Sequence, residues 1–227
     1  MMKRNNFPFS AVLGLNHAKT AILIVLVNPR AGGLLISGPR GIGKSTLMRS
    51  TQELIERPWR DIPVSVTEDR LFGTIDTEKA IYSGQKKLYP GIINEADQGV
   101  LYLDDANLLR EDLLDFILNI AEVGAYQLER DGLSLRCDTS FTVIAAINPE
   151  SGMLSGACLD QFGLFVNVDN IHDENTRVEI LKRTISFEKD CASFCKLWKL
   201  ENEKIKKAIH SAMSLLPKVV VSSAMIQ

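Results

Sequence analysis

Eight residues near the start of the chain have the types and spacing that bind a phosphate chain. They fit the pattern G-x-x-x-x-G-K-[ST] and are Gly38, Pro39, Arg40, Gly41, Ile42, Gly43, Lys44 and Ser45. Glycines in such a loop let backbone N–H groups converge on phosphate oxygens. Lys44 would reach the β- and γ-phosphates, and the Ser45 hydroxyl would ligate Mg²⁺. Together with Thr46, which follows directly, these residues form the predicted nucleotide-binding site.

The loop is flanked by the elements that a phosphate site needs. Residues 33–37 are typical of a short buried strand, and residues 46–55 carry apolar side chains at helical spacing. A helix that begins directly after the loop adds positive potential and backbone N–H groups to the anion site. Taken alone, the segment is also compatible with an ordinary glycine turn between a strand and a helix.

A second motif places two acids after an apolar run. Residues 99–104 are predicted to form a strand that ends in Asp104, and Asp105 follows it. The carboxyl ends of strands are where ligands bind in open α/β sheets. Asp104 would hold Mg²⁺ directly or through water, and Asp105 would orient and activate the attacking water as a general base. A solvated acidic turn is the alternative for this segment.

Asn148 is the third predicted catalytic element. It ends the strand predicted for residues 141–147, and its amide could position the attacking water against the γ-phosphate. By itself, an Asn before Pro149 is more typical of a turn. Only its place in the predicted strand order supports the catalytic role.

The order of elements predicts an α/β fold with a mainly parallel sheet between helices. Strands are predicted at residues 34–37, 99–104, 141–147 and 164–168, and helices at 16–27, 44–56, 76–82 and 110–123. Residues 124–136 alternate apolar and polar side chains around Asp131-Gly132, which indicates a β-hairpin. Helices are expected again at residues 173–184 and 188–216.

Composition is that of a globular protein. The 227 residues are 45% hydrophobic and 24% charged, with a net charge of −2, so no overall attraction to nucleic acid is expected. The seven apolar residues 21–27 are too few to span a membrane. Four scattered cysteines lack a zinc-site spacing, which favours free thiols in a reducing cytoplasm.

Several segments beyond the phosphate loop resemble one family of AAA+ P-loop NTPases, the ATPase subunit of magnesium chelatase. The cobalt chelatase small subunit is a close relative. The resemblance runs from Phe7 to about Val221. The matching segments are Phe7-Pro8-Phe9-Ser10-Ala11-Val12-Leu13-Gly14, Thr67-Glu68-Asp69-Arg70-Leu71-Phe72-Gly73-Thr74-Ile75-Asp76, Tyr89-Pro90-Gly91-Ile92-Ile93, Leu128-Glu129-Arg130-Asp131-Gly132-Leu133-Ser134-Leu135-Arg136, Asn148-Pro149-Glu150 and Leu159-Asp160-Gln161-Phe162-Gly163-Leu164.

This resemblance implies an AAA+ core over residues 1–170, with linker helices and the start of a truncated C-terminal helical lid over 171–227. It implies ATP and Mg²⁺ as cofactors and a homo-oligomeric ring with ATP bound between subunits. Adaptor and large catalytic chelatase subunits would be the partners, and insertion of a divalent metal into a tetrapyrrole the reaction. Residues 124–136 would be the β-hairpin insertion of this clade, residues 69–89 its other insertion, and residues 12–15 would line the adenine pocket.

Three departures from the family pattern bear on hydrolysis. The family usually has Asp-Glu where this chain has Asp104-Asp105, and a carboxylate misplaced by about 1 Å can cost on the order of a hundredfold in rate. Where the family has Leu-Asp-Arg-Phe-Gly, this chain has Gln161 in place of the Arg. The charge of an arginine finger is therefore absent. The family also continues into a helical lid that this chain mostly lacks.

Two other functions remain open at this stage. One is a nucleotide-dependent assembly or regulatory subunit with weak or no hydrolysis, which the identities of Asp105 and Gln161 favour. The other is a MoxR-type AAA+ chaperone. The segments at residues 67–76 and 128–136 count against this chaperone.

Overall fold

A computed structural model describes residues 6–75, 88–130 and 133–220. The helix predicted for residues 76–82 and the turn predicted at Asp131-Gly132 lie outside these ranges. In the described part, strands are Leu34–Ser37 (β1), Trp59–Ile62 (β2), Gly73–Ile75 (β3), Leu88–Pro90 (β4), Gly99–Leu103 (β5), Ala125–Arg130 (β6), Leu133–Asp138 (β7), Phe141–Ile147 (β8) and Leu164–Asn167 (β9). Helices are Asn16–Val27 (α1), Lys44–Thr51 (α2), Glu68–Phe72 (α3), Ile92–Glu95 (α4), Glu111–Val123 (α5), Gly156–Asp160 (α6), Glu174–Lys189 (α7) and Cys191–Leu215 (α8).

Five parallel strands form the central sheet, in the order β2-β5-β8-β1-β9. Every residue of β1, β5 and β8 is buried, as continuous apolar strands covered on both faces should be. The register pairs Ser37 with Ile147 on one side and Asn167 on the other, so the loops that follow β1, β8 and β9 leave from one edge. The predicted α/β fold with a mainly parallel sheet is confirmed.

Alternate strand residues feed two hydrophobic cores, one on each face of the sheet. Leu35, Leu101 and Val143 pack with α5 on one face. Ile36, Tyr102 and Ile144 pack with α1 and α2 on the other, and Ile209 of α8 joins them. The sheet is therefore enclosed by helices on both sides.

The edge strand β2 has no counterpart among the predicted strands. Only its last residue, Ile62, is buried, while Arg60 and Asp61 are exposed. A strand of four residues with two charges gives too little alternation to be found from sequence.

Several element ends differ from the sequence expectation. The helix predicted for residues 44–56 is α-helical only to Thr51, and continues as a short 3₁₀ turn over Gln52–Leu54. The strands predicted to end at Asp104 and Val168 end at Leu103 and Asn167. The predicted hairpin is present as antiparallel β6 and β7, and it extends to Asp138.

Helix α7 is longer than predicted, and helix α8 is shorter. Helix α7 ends at Lys189 instead of residue 184, and α8 covers Cys191–Leu215. Helix α8 contacts the N-terminal segment and the residues that follow α2. Asn202 Oδ1 accepts a hydrogen bond from Ser10 N at 2.9 Å, and Lys206 pairs with Glu56 at 2.8 Å. In the described ranges, no helix combines the length and apolarity that crossing a bilayer requires.

Candidate nucleotide-binding site

The phosphate loop connects β1 to α2 at the carboxyl edge of the sheet. Gly43 precedes α2 with φ 95°, and Gly41 has φ 85°, both in the left-handed region that favours glycine. A Cβ at Gly38 would lie 2.4 Å from the carbonyl oxygen of Val168, which follows β9. The glycine pattern is thus required by the turn into the helix and by close packing against the neighbouring strand.

Lys44 is the buried cation of this loop. Its Nζ donates to the carbonyl oxygens of Gly38 at 2.6 Å and Pro39 at 2.8 Å. Burial lowers the pKa of Lys44, and the nearby carboxylates of Asp105 and Asp104 oppose that shift. The two hydrogen bonds hold the Lys44 amine at the loop, and the two carboxylates favour its charged form, which can bind a phosphate chain.

Ser45 and Asp104 are 59 positions apart in the chain and meet in the site. Ser45 Oγ donates to Asp104 Oδ1 at 3.1 Å, and Tyr102 OH donates to the same oxygen at 2.8 Å. Burial and the Asp104 charge raise the pKa of Tyr102, so this hydroxyl remains a donor. Tyr102 was missed by the sequence reasoning. It stands in β5 two residues before Asp104, which directly follows the strand, and this spacing of two is a signal that could have identified it.

The donor set fits Mg²⁺ only as part of a nucleotide complex. A hydroxyl and a carboxylate are suitable hard oxygen ligands. The described residues contain no group of three or more His, Cys, Asp or Glu side chains that could hold a metal ion. Phosphate oxygens and water would complete the octahedral shell, as is usual for Mg²⁺ at phosphates.

Asp105 begins the loop after β5 in an unusual backbone conformation. Its φ and ψ are 51° and 48°, the left-handed region, and its carbonyl accepts from Leu108 N at 2.8 Å. The side chain lies close enough to Lys44 for their charges to interact. This placement is compatible with the predicted role at the γ-phosphate, which stays a prediction.

Asn148 follows β8, beside the loop after β5, and is buried. Its Oδ1 accepts from Glu150 N at 3.2 Å, and its Nδ2 donates to Ser151 Oγ at 3.2 Å. Both polar atoms therefore serve the short 3₁₀ turn of Pro149–Ser151. To position a water molecule, the amide would have to share or release one of these bonds.

A cavity of about 830 Å³ opens beside the phosphate loop. Its volume lies in the usual range for a small-molecule site. The loop side contributes Arg40, Gly41, Ile42, Gly43 and Thr46. Apolar side chains line much of the remainder, and they are Phe7, Val12, Leu13, Leu15, Ile171, Ile180 and Phe187. The expected adenine wall at residues 12–15 is thus next to the loop, and sequence reasoning missed the contribution from residues 171–187.

Gln161 lies at the other edge of the sheet. It follows α6 and precedes β9, where the strands begin, and its Nε2 donates to Ala157 O at 3.4 Å. It lines a separate groove of about 550 Å³ together with Arg30 and Asp160. In a parallel sheet this position is remote from the chain's own phosphate loop.

Comparisons with known proteins identify the family to which this fold belongs. Residues 33–161 match the family model described as AAA domain (dynein-related subfamily). The magnesium-chelatase 38 kDa subunit of Chlorobaculum tepidum is 34% identical, over 97% of this chain and 67% of that protein. The magnesium-chelatase 38 kDa subunit of Rhodobacter capsulatus is 35% identical, over 94% of this chain and 70% of that protein. A Methanocaldococcus jannaschii magnesium-chelatase subunit ChlI homolog is 33% identical, over the whole chain and 72% of that protein.

A solved structure agrees as well. In a cryo-EM-based complex of the magnesium chelatase subunits BchI and BchD, one chain has a TM-score of 0.69 and 35% identity to this one, over 95% of this chain and 77% of that chain. Fold and phosphate loop define the class of the protein as an AAA-type ATPase. Within that class, the chain belongs to the family of magnesium-chelatase ATPase subunits.

Proposed function

We propose that this chain binds MgATP at the phosphate loop and couples its turnover to insertion of a divalent metal into a tetrapyrrole. One observation carries the proposal: Lys44 and Ser45 stand on a glycine loop directly against Asp104 at the carboxyl edge of the sheet. This is the arrangement in which a lysine meets the phosphates and a hydroxyl–carboxylate pair meets Mg²⁺. The relatives' names supply the metal-insertion reaction.

The roles of the individual residues follow from position. Residues 38–46 cradle the phosphates, Ser45 and Asp104 bind Mg²⁺, and Tyr102 holds the Asp104 carboxylate in place. Asp105 acts as the general base for water, and Asn148 orients that water. The adenine lies in the cavity against Val12 and Leu13.

The proposed assembly is a ring of copies of this chain, working with adaptor and large catalytic chelatase subunits. The BchI–BchD complex in the similar structure supports a partner subunit. The location of Gln161 at the edge opposite the phosphate loop supports head-to-tail contact between copies. No disulfide links any of the four cysteines, all of which lie in the described ranges, and this is compatible with the proposed cytoplasmic location.

A second candidate function is an assembly or regulatory subunit that hydrolyses ATP slowly or not at all. The specific observation that favours it is the uncharged Gln161 side chain, whose described hydrogen bond goes to its own helix. ATP turnover measured at saturating protein concentration distinguishes a motor from such a subunit.

The proposed function is tested by reconstitution. The wild-type chain, mixed with the remaining subunits of a magnesium chelatase, MgATP and a free-base porphyrin, is expected to support metal insertion measured by porphyrin fluorescence. The Lys44→Ala variant is the matched control, since it should fail in the same mixture. Metal insertion at equal rates with and without the wild-type chain would contradict the motor function.

Association is expected to depend on nucleotide. A ligand that contacts two subunits stabilises their interface by mass action, so sedimentation velocity should show larger species with MgATP than without nucleotide. The missing positive charge at Gln161 should keep this association weaker than in relatives with Arg there. A tight dimer of unchanged size with and without nucleotide would contradict the head-to-tail arrangement.

A further inference from the structure

Two arginines of helix α7 line the nucleotide cavity, and their surroundings differ. Arg183 is fixed by three partners. Its Nε pairs with Glu179 at 2.9 Å, one NH₂ group donates to Ala11 O at 3.0 Å, and the guanidinium lies 4.6 Å from the Trp198 ring centre. These contacts hold α7 against α8 and the N-terminal segment, so Arg183 has a structural role.

Arg177 lies six residues earlier on the same helix and lines the same cavity as Arg40, Gly41 and Gly43 of the phosphate loop. Its backbone is fixed, because Arg177 N donates to Asp173 O at 3.1 Å. Its guanidinium, in contrast, makes no hydrogen bond or ion pair with any residue in the described ranges. An exposed five-donor cation is therefore available in the lining of the cavity that the loop also borders.

One of the two acids in the turn before Arg177 is already engaged. Asp173, four residues earlier, accepts from Thr176 N at 2.8 Å and from Thr176 Oγ1 at 2.5 Å. These bonds lower the pKa of Asp173 and keep it as the helix cap. A cation in the first turn of a helix is unfavourable next to the dipole's positive end. An anion in the cavity would remove that cost.

We propose that Arg177 is a second cationic ligand of the nucleotide, binding its phosphates from the α7 side while Lys44 binds them from the loop. The inference rests on the proposed nucleotide site and adds a residue to it. The contact would be made within one subunit, since Arg177 and the loop line one cavity of the same chain. It would also join helix α7 to the core whenever nucleotide is bound.

Calorimetric titration with ADP tests this at protein concentrations where sedimentation shows a monomer. Arg177→Ala is expected to weaken ADP binding about tenfold, the loss typical of one charge-assisted hydrogen bond. Arg177→Lys should keep part of the affinity. Lys182→Ala, which removes a cation from the same helix outside the cavity lining, should bind ADP as the wild type does.

Adenosine, measured by competition with a fluorescent ADP analogue, separates phosphate contact from base contact. Its affinity should be equal in wild type and Arg177→Ala. An ADP affinity unchanged by Arg177→Ala, or an equal loss for adenosine and ADP, would overturn the inference. If Lys44→Ala weakens ADP binding and Arg177→Ala does not, only the role of Arg177 fails. If neither variant changes ADP binding, the proposed nucleotide site fails with it.

Discussion

Replacing Lys44 by alanine is expected to weaken ATP binding about a hundredfold. The change removes the buried cation whose Nζ lies between the loop carbonyls of Gly38 and Pro39. Hydrogen bonds from a charged donor contribute roughly 1.5–3 kcal/mol each, and the upper part of that range corresponds to a hundredfold in affinity. The loss should be larger for ATP than for ADP, because the amine would reach both the β- and γ-phosphates.

Calorimetry with MgATP measures this effect, and Lys182→Ala is the matched control because it removes an equal charge from a surface helix. The two loop carbonyls also lose their donor in Lys44→Ala, so the thermal unfolding midpoint without nucleotide should be recorded for each variant. A variant that is folded and still binds ATP with wild-type affinity would remove the basis for assigning the loop to phosphates.

Replacing Gln161 by arginine is expected to raise ATP turnover at least tenfold in assembled protein. An arginine that reaches a γ-phosphate from a neighbouring subunit supplies charge in the transition state, an effect that can approach 10³–10⁵. Gln161 lies at the edge of the sheet where such a contact with another copy's nucleotide would occur. Combination with Asp105→Glu should raise turnover further, although the two effects need not add because they act on one transition state.

Turnover should be measured as a function of protein concentration, since a monomer cannot use a residue in trans. Gln161→Lys provides the control, because it adds charge without the planar fork of arginine and should give a smaller gain. Equal slow rates for wild type and the assembled double variant would show that position 161 does not limit hydrolysis. A wild-type rate already as high as that of the variants would show that another cation supplies the charge.

The parts of the molecule governed by local sequence were predictable. Strands β1 and β8 are continuous apolar runs, and the glycines of the phosphate loop predict the turn between β1 and α2. The carboxyl ends of parallel strands lie along one edge of the sheet, and β1 and β5 flank β8, so the approach of Asp104 to Ser45 follows from the fold.

Features that depend on tertiary contacts were not predictable in the same way. The hydrogen bond from Tyr102 to Asp104 needs the loop after β5 to bring the Asp104 carboxylate to the side of the strand on which Tyr102 lies. The capping bonds of Asn148 come from the turn that follows it, and they compete with its predicted catalytic role. Ile171 and Ile180 line the cavity because the segment before α7 and α7 itself lie next to the phosphate loop. That tertiary placement cannot be predicted from the local sequence pattern.

The left-handed backbone at Asp105 gives the shorter acid an advantage of its own. At φ 51°, Asp and Asn are the non-glycine residues most readily accommodated, because their short polar side chains bond locally, whereas other L-residues pay roughly 1–2 kcal/mol. A glutamate at position 105 would extend the carboxylate towards the attacking water. It would, however, be less stable than aspartate in the left-handed backbone conformation. The length of the side chain at position 105 therefore affects hydrolysis and stability in opposite directions. A gain in hydrolysis rate from Asp105→Glu should be accompanied by a lower free energy of unfolding.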